Sequence, residues 1–241
     1  MRDAKPILLM TRPTARSEAF LAQLPDRSAF TAIMSPAMGI EFMGDLPDMT
    51  RFKGVIFTSV NGVTAYARQN GPCLQAFAVG GATALAAQDA GLAVQSADGN
   101  ADDLVNLLTE QQNPGPFLHV RGTHSTGDVA KRLTDAGIVT IEAILYDQPK
   151  LPLSSQACDA LIGEIPVIAP VFSPRTAALL AKNRIKAPLL VAAMSEAVVK
   201  PLLGLHITEL KIAARPESIH MANLVTDLLE SVRARDYGSG Q

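Results

Sequence analysis

Two short stretches of the chain carry hydroxyl groups at places where an apolar run breaks off: Phe57-Thr58-Ser59-Val60-Asn61-Gly62 and, 114 residues later when Ser59 is matched to Ser173, Phe172-Ser173-Pro174-Arg175-Thr176. Each follows β-branched or aromatic residues and precedes a helical pattern, so each sets a serine where a strand hands over to a helix. The first turn of a helix leaves backbone N–H groups unpaired at the positive end of the helix dipole, which suits a carboxylate or a phosphate. A second pair follows the same plan, Val79-Gly80-Gly81-Ala82-Thr83 and Val191-Ala192-Ala193-Met194-Ser195, with Thr83 and Ser195 at matching places. An arginine recurs in Thr11-Arg12-Pro13, Val120-Arg121-Gly122 and Ala214-Arg215-Pro216, each expected between a strand and a helix. A cation beside the positive helix end is unfavourable unless an anion is shared between them. The chemistry these residues suggest is the holding of an anionic ligand at several points. The plainer readings are helix capping for the hydroxyls and ion pairs with neighbouring carboxylates for the arginines.

Other chemistries find little support. The histidines, His119, His124, His206 and His220, form no i, i+4 pair and no HExxH, so no metal site is expected, and His119 on its apolar stretch reads as a satisfied interior histidine. Cys73 and Cys158 stand far apart in no metal-binding or redox spacing and read as free, buried thiols. Neither serine turn has the GxSxG form of a hydrolase elbow, no dinucleotide or phosphate-binding loop is present, and Asp102-Asp103 sits where helix capping explains it. A net charge of −2, no tryptophan and 5% aromatic residues argue against a nucleic-acid partner. The apolar run after Pro6 spans only Ile7 to Met10, and no stretch approaches the roughly 20 apolar residues of a membrane span, so a soluble, cytoplasmic protein is expected.

The elements that would position these residues alternate strand and helix. Strands are expected at 7–10, 32–34, 55–57, 76–79, 92–95, 117–120, 171–172, 189–193 and 211–214, and helices at 15–24, 63–69, 82–90, 128–136, 155–162, 176–184 and 195–200. A further helix through Gln111 is capped by Asn100 and broken by Asn113-Pro114-Gly115-Pro116. The last helix is the clearest, with Met221, Leu224, Val225, Leu228, Leu229 and Val232 on one face, followed by a tail from Asp236 expected to be disordered. Pro170 is expected to shorten the strand before Ser173, and Pro201 the helix after Ser195. Two extended stretches, 38–43 and 138–146, lead into and out of the central alternation and read as crossings. The expectation is two doubly wound α/β domains with parallel sheets, 1–35 with 149–241 and 43–138, joined by connector strands at 36–42 and 139–148. Ligands of such sheets bind beyond the carboxyl ends of the strands.

The ordered set Arg12-Pro13, Phe57 to Val63, Val79 to Ala84, Val120-Arg121-Gly122, Tyr146, Phe172 to Ala177, Ala192 to Ser195 and Ala213 to Pro216 resembles the uroporphyrinogen-III synthase family, over residues 5–232. The resemblance implies two α/β domains joined by a two-stranded connector. It also implies a cyclising lyase that closes the linear tetrapyrrole hydroxymethylbilane with inversion of the last pyrrole ring and loss of water, without metal or cofactor. A monomer is implied, with transient contact with porphobilinogen deaminase, because the substrate is short-lived. Loss of the hydroxyl would leave an azafulvene, attacked by the distal ring to give a spiro intermediate that reopens and recloses inverted. Tyr146 matches the family's connector tyrosine and would assist that loss. The substrate's many carboxylates would be held by Arg12, Thr58, Ser59, Asn61, Gly62, Gly80, Thr83, Arg121, Gly122, Ser173, Pro174, Arg175, Ser195 and Arg215. Ala192-Ala193 replaces the glycine more usual before the second hydroxyl site. The competing classes are a non-catalytic cytoplasmic two-domain binding protein for a small polyanion and, with no nucleotide loop to support it, a nucleotide-dependent enzyme.

Overall fold

The computed structural model describes residues 5–111 and 115–238. The break expected at Asn113-Pro114 and the last residues of the tail, 239–241, lie outside the described residues. Two compact units emerge, one from Met1–Gly39 with Lys150–Gln241 and one from Ile40–Pro149.

The first unit starts with β1 (Ile7–Met10), buried along its whole length as four successive apolar residues require of a strand covered on both faces. Pro13, with φ of −49°, leads into α1 (Thr14–Leu21), where a missing N–H costs nothing. This helix ends earlier than its pattern suggests, because Gln23 and Leu24 donate to Phe20 and Leu21, tightening the last turn. β2 (Thr31–Met34) follows.

The second unit holds β3 (Glu41–Phe42), β4 (Gly54–Phe57), α2 (Val60–Arg68), β5 (Gln75–Ala78), α3 (Gly81–Asp89), β6 (Val94–Ser96), α4 (Ala101–Glu110), β7 (Phe117–Gly122), α5 (Val129–Asp135) and β8 (Thr140–Asp147). Asn100 caps α4 while Asp103 reaches back to the Asn100 N–H, a reciprocal capping box. α3 and α5 end alike. Gly91 and Gly137 take φ of +83° and +87°, which lets Leu92 and Ile138 donate to Ala87 and Leu133 and close the helix ends.

Back in the first unit come α6 (Ser155–Ile162), β9 (Val167–Val171), α7 (Pro174–Leu180), β10 (Leu189–Ala193), α8 (Glu196–Val199), β11 (Glu209–Ile212) and α9 (Ser218–Gly238). Pro201 does curtail α8, which gives way to a 3₁₀ turn at Lys200–Leu202. Met221, Val225, Leu228, Leu229 and Val232 of α9 are buried against Leu8, Met10, Ile168 and Leu190. Each such side chain contributes about 1.5–3 kcal/mol, and the helix runs to Gly238, so residues 236–238 are helical rather than disordered.

The first sheet has the order β11-β10-β9-β1-β2 and is parallel throughout. The second has the order β3-β8-β7-β4-β5-β6, with β3 alone antiparallel among the described strands. Helices cover both faces of each. α6, α7 and α8 pack on one face of the first sheet and α1 and α9 on the other. α2 and α3 cover one face of the second sheet, α4 and α5 the other. The expected doubly wound α/β architecture is borne out.

Three of the strands also depart from their sequence patterns. β9 is longer than expected, with Pro170 inside it. Val167 donates toward β10, to Pro188, so alternation turns the Pro170 nitrogen toward β1, where the ladder ends at Leu8 and Ile168 and no donor is needed. β7 runs on to Gly122, which places Arg121 within a strand. The stretch read as the return crossing pairs with β3 and also lies along β7 as an interior strand, β8.

Candidate active site

Each sheet reverses its strand order at one point, and there the helices after adjacent strands diverge to opposite faces and leave a crevice beyond the carboxyl ends. In the first unit this point lies between β1 and β9: α1 departs to one face and α7 to the other. Arg12 and Ser173 flank it. The Arg12 guanidinium carbon lies 4.0 Å from the centroid of the Phe172 ring, which stands edge-on to Phe20 at 5.1 Å. Burial, and next the neighbouring Arg16, pull the Arg12 pKa down, and no described carboxylate forms an ion pair with it. A half-buried arginine without a counter-ion among the described residues is poised for an anion. The hydroxyl of the preceding residue, the buried Thr11, has no hydrogen-bond partner among the described residues.

Ser173 caps α7, accepting from the Thr176 N–H at 3.2 Å and lying 2.9 Å from the Thr176 hydroxyl. Pro174 and Arg175 form the first turn of that helix. Ser195 stands before α8 and its side chain makes no capping bond. Arg215 is exposed in the bend between β11 and α9. Sheet order therefore places Arg215, Ser195, Ser173 and Arg12 beyond the ends of four successive strands. Ala192 and Ala193 are fully buried within β10.

In the second unit the reversal lies between β4 and β7, with α2 leaving to one face and α5 to the other. Ser59 caps α2, accepting from the Asn61 N–H at 3.1 Å. Asn61 is half-buried, and Gly62 is packed so closely that a Cβ there would lie 3.0 Å from the Val120 carbonyl oxygen. Gly80 precedes α3. Thr83 is only 6% exposed, so the accessible part of that turn is the backbone of residues 80–82.

Arg121 was expected where a strand meets a helix, but α5 begins only at Val129. Its guanidinium, 17% exposed, pairs with Glu142 at 2.7 Å and donates to the Gly122 carbonyl at 2.9 Å. The ion-pair reading thus describes this arginine. Hydrogen bonding from Arg121 is the main influence holding the Glu142 carboxyl below the usual range. The Tyr146 ring is 5% exposed and lies against Gly122, where an added Cβ would come within 2.5 Å of it.

Sequence reasoning missed His119 and Glu142 as partners of this group. His119 is buried, but not satisfied on both sides. Its Nε2 lies 3.3 Å from the Thr58 hydroxyl, whereas Nδ1 stands 3.7 Å from Glu142 and has no hydrogen-bond partner among the described residues. Burial, opposed by Glu142, brings its pKa to about 4. The cysteines are also corrected: Cys73 and Cys158 are free but exposed. Cys73 sits in a loop, and Cys158 lies on the outer side of α6, whose buried side is Ala157, Ala160 and Leu161. Among the described residues no group of three or more His, Cys, Asp or Glu could hold a metal ion, and no helix is long and apolar enough to cross a membrane. A cavity of about 360 Å³ lined by Lys5, Ile7, Thr31, Ile33, Gln156, Ala160 and Ile165 opens at the amino ends of β1 and β2, away from this edge.

The profile of the family described as "Uroporphyrinogen-III synthase HemD" matches residues 19–223. The chain belongs to the uroporphyrinogen-III synthase family. The chain is 25% identical over 172 residues to uroporphyrinogen-III synthase of Chlorobaculum parvum (strain DSM 263 / NCIMB 8327), covering 64% of this chain and 69% of that one. Among solved structures, uroporphyrinogen-III synthetase from Helicobacter pylori 26695 shares the fold with a TM-score of 0.67 at 16% identity, over 93% of this chain and 99% of that one. A mutant uroporphyrinogen III synthase from the extremely thermophilic bacterium Thermus thermophilus gives 0.54 at 15% identity, over 95% and 99%. Membership of the uroporphyrinogen-III synthase family makes the chain an enzyme, a cyclising lyase.

Proposed function

We propose that this chain cyclises hydroxymethylbilane with inversion of the last pyrrole ring and loss of water, giving uroporphyrinogen III. The observation that carries the reading is the family match over residues 19–223. The site's chemistry supports it. Each sheet's switch point presents hydroxyls and helix N-termini, and at the first Arg12 has no ion-pair partner among the described carboxylates. A substrate rich in carboxylates needs many donors, and main-chain N–H groups supply them in a chain of net charge −2 without adding charge.

In this reading Arg12, Ser173, Pro174, Arg175, Ser195 and Arg215 form the grip of the first unit. Thr58, Ser59, Asn61, Gly62, Gly80, Thr83 and Gly122 form that of the second, with Thr83 and Gly62 acting through the backbone they position and Arg121 engaged by Glu142. The pyrroles supply most of the reactivity. The enzyme holds the bilane folded against closure without inversion. Tyr146 assists departure of the hydroxyl as a phenol that donates a hydrogen bond to it. No metal or cofactor enters the scheme. The family's two domains are 1–35 with 149–241, which falls in the first unit but for residue 149, and 43–138, which falls in the second, with 36–42 and 139–148 as connector strands. The enzyme is a cytoplasmic monomer that receives its short-lived substrate by transient contact with porphobilinogen deaminase.

The test is to supply hydroxymethylbilane, oxidise the product and separate the isomers. Isomer III above the spontaneous rate is expected. Isomer I alone, at the spontaneous rate, overturns the reading. The same assay disposes of a non-catalytic polyanion-binding protein, which no observation favours.

A further inference from the structure

His119 occupies the middle of a row of polar side chains on one face of the second unit's sheet. The registers set Ile56, His119 and Glu142 side by side on β4, β7 and β8. Thr58 and Arg121 follow Ile56 and His119 by two residues, so they share that face. The imidazole is 1% exposed. Its Nε2 faces the Thr58 hydroxyl at 3.3 Å, its Nδ1 faces Glu142 Oε1 at 3.7 Å, and the other Glu142 oxygen is held by Arg121 at 2.7 Å.

A neutral imidazole carries one proton, and its two nitrogens have different neighbours here. The carboxylate, kept ionised by Arg121, attracts an N–H at Nδ1 and repels a lone pair there. Nδ1 therefore holds the proton and Nε2 is left as an acceptor. Among the described residues the donor beside it is the Thr58 hydroxyl, which has one proton to give. Once that proton points at His119, the half-buried Thr58 oxygen presents only lone pairs to the carboxyl edge of the sheet. Lone pairs repel a carboxylate and accept from an N–H.

We propose that His119, oriented by Glu142, is a positioning residue that fixes the Thr58 hydroxyl as an acceptor for a pyrrole N–H of the substrate, so that Thr58 orients a ring instead of gripping a carboxylate. The proposal rests on the bilane reading and sharpens it. At this strand end, carboxylate holding falls to the α2 N-terminus, while Thr58 governs which face of a pyrrole is offered.

Two measurements on the full-length protein test it. Histidine ring ¹⁵N spectra, with His119 assigned by its loss in His119→Gln, should show the proton on Nδ1 at neutral pH. A proton on Nε2 overturns the proposal, whether or not the chain turns over bilane. In the isomer assay, Thr58→Val should lower kcat about tenfold and leak isomer I with KM little changed, as expected for a lost orienting hydrogen bond, and Thr58→Ser, which restores the hydroxyl, should recover part of that loss. A raised KM with product still all isomer III would return Thr58 to carboxylate holding and overturn the proposal. His119→Gln should lower kcat when Thr58 is present and add nothing in the Thr58→Val background. An equal loss in both backgrounds means that His119 acts through something other than Thr58 and overturns the proposal. If the unaltered chain makes no isomer III, the functional reading fails, and the ¹⁵N result still decides the tautomer.

Discussion

The guanidinium of Arg12 lies 4.0 Å from the centroid of the Phe172 ring, joining the end of β1 to the end of β9 across the point where the first sheet reverses its order. The ring keeps the cation in place without neutralising it, because a cation–π contact supplies attraction and no negative charge. Arg12→Gln should therefore raise KM for hydroxymethylbilane about tenfold or more, the loss of one charged hydrogen bond to a carboxylate. kcat should move less, and Tm should hardly change. Lysine cannot reproduce both the stacking and the fork, so Arg12→Lys should recover only part of the loss. An unchanged KM in both variants would remove Arg12 from the substrate site.

His119 gives stability a pH dependence whose sign can be worked out. Its folded pKa of about 4 lies below the ordinary 6.5, so between those values the unfolded chain binds a proton that the folded chain does not. Its neutral burial is fully tolerated above pH 6.5, and stability falls as the pH drops from about 6.5 to about 4, by on the order of 3 kcal/mol in total. Glu142 acts in a lower window: its folded pKa is depressed, so its contribution is lost only as the pH falls below the ordinary 4.5. Urea unfolding at pH 7 and pH 5 should show a smaller midpoint difference for His119→Gln than for the unaltered chain. Equal differences would mean that His119 titrates normally.

What the sequence could and could not convey divides along local and non-local lines. Ile7 to Met10, the capping of α4 by Asn100 and the buried stripe of α9 all follow from residues close together in the chain. So do the serine turns, since Ser59 and Ser173 cap the helices that follow them. Arg121 was misplaced because β7 continues two residues past its apolar run, supported by pairing to β8 that no local pattern records. The Thr58, His119 and Glu142 row was invisible for the same reason. It exists only once two parallel registers are set, and a slip of one residue would turn His119 to the other face. Pro170 looked like a strand breaker because its cost depends on which neighbour its nitrogen faces. The switch points needed the strand order, which alternation of strand and helix leaves open.

Gly122 should tolerate no side chain. A Cβ there would meet the Tyr146 ring at 2.5 Å, and the ring is locked in the cluster containing Phe57, Val63 and Leu145. Gly122→Ala should cost about 1–3 kcal/mol by overpacking and shift Tyr146, so activity should fall further than stability at assay temperature. A variant as stable and active as the original would show that the strand end yields readily and that the position of Tyr146 is unimportant.

Tyr146→Phe separates the two things this residue could do. The ring is buried and its packing survives the change, so the melting temperature should stay within a few degrees. If the phenol donates a hydrogen bond to the departing hydroxyl, kcat should fall about tenfold to a hundredfold, the lower part of the range for a positioned proton donor because a phenol is a weak acid. Product should remain isomer III, since folding of the bilane does not depend on that proton, and KM should change little. A substrate carrying a better leaving group in place of the hydroxyl should restore much of the rate, because it no longer needs the donor. Should the variant turn over hydroxymethylbilane at the original rate, Tyr146 packs the β3 and β8 pair and takes no part in the chemistry.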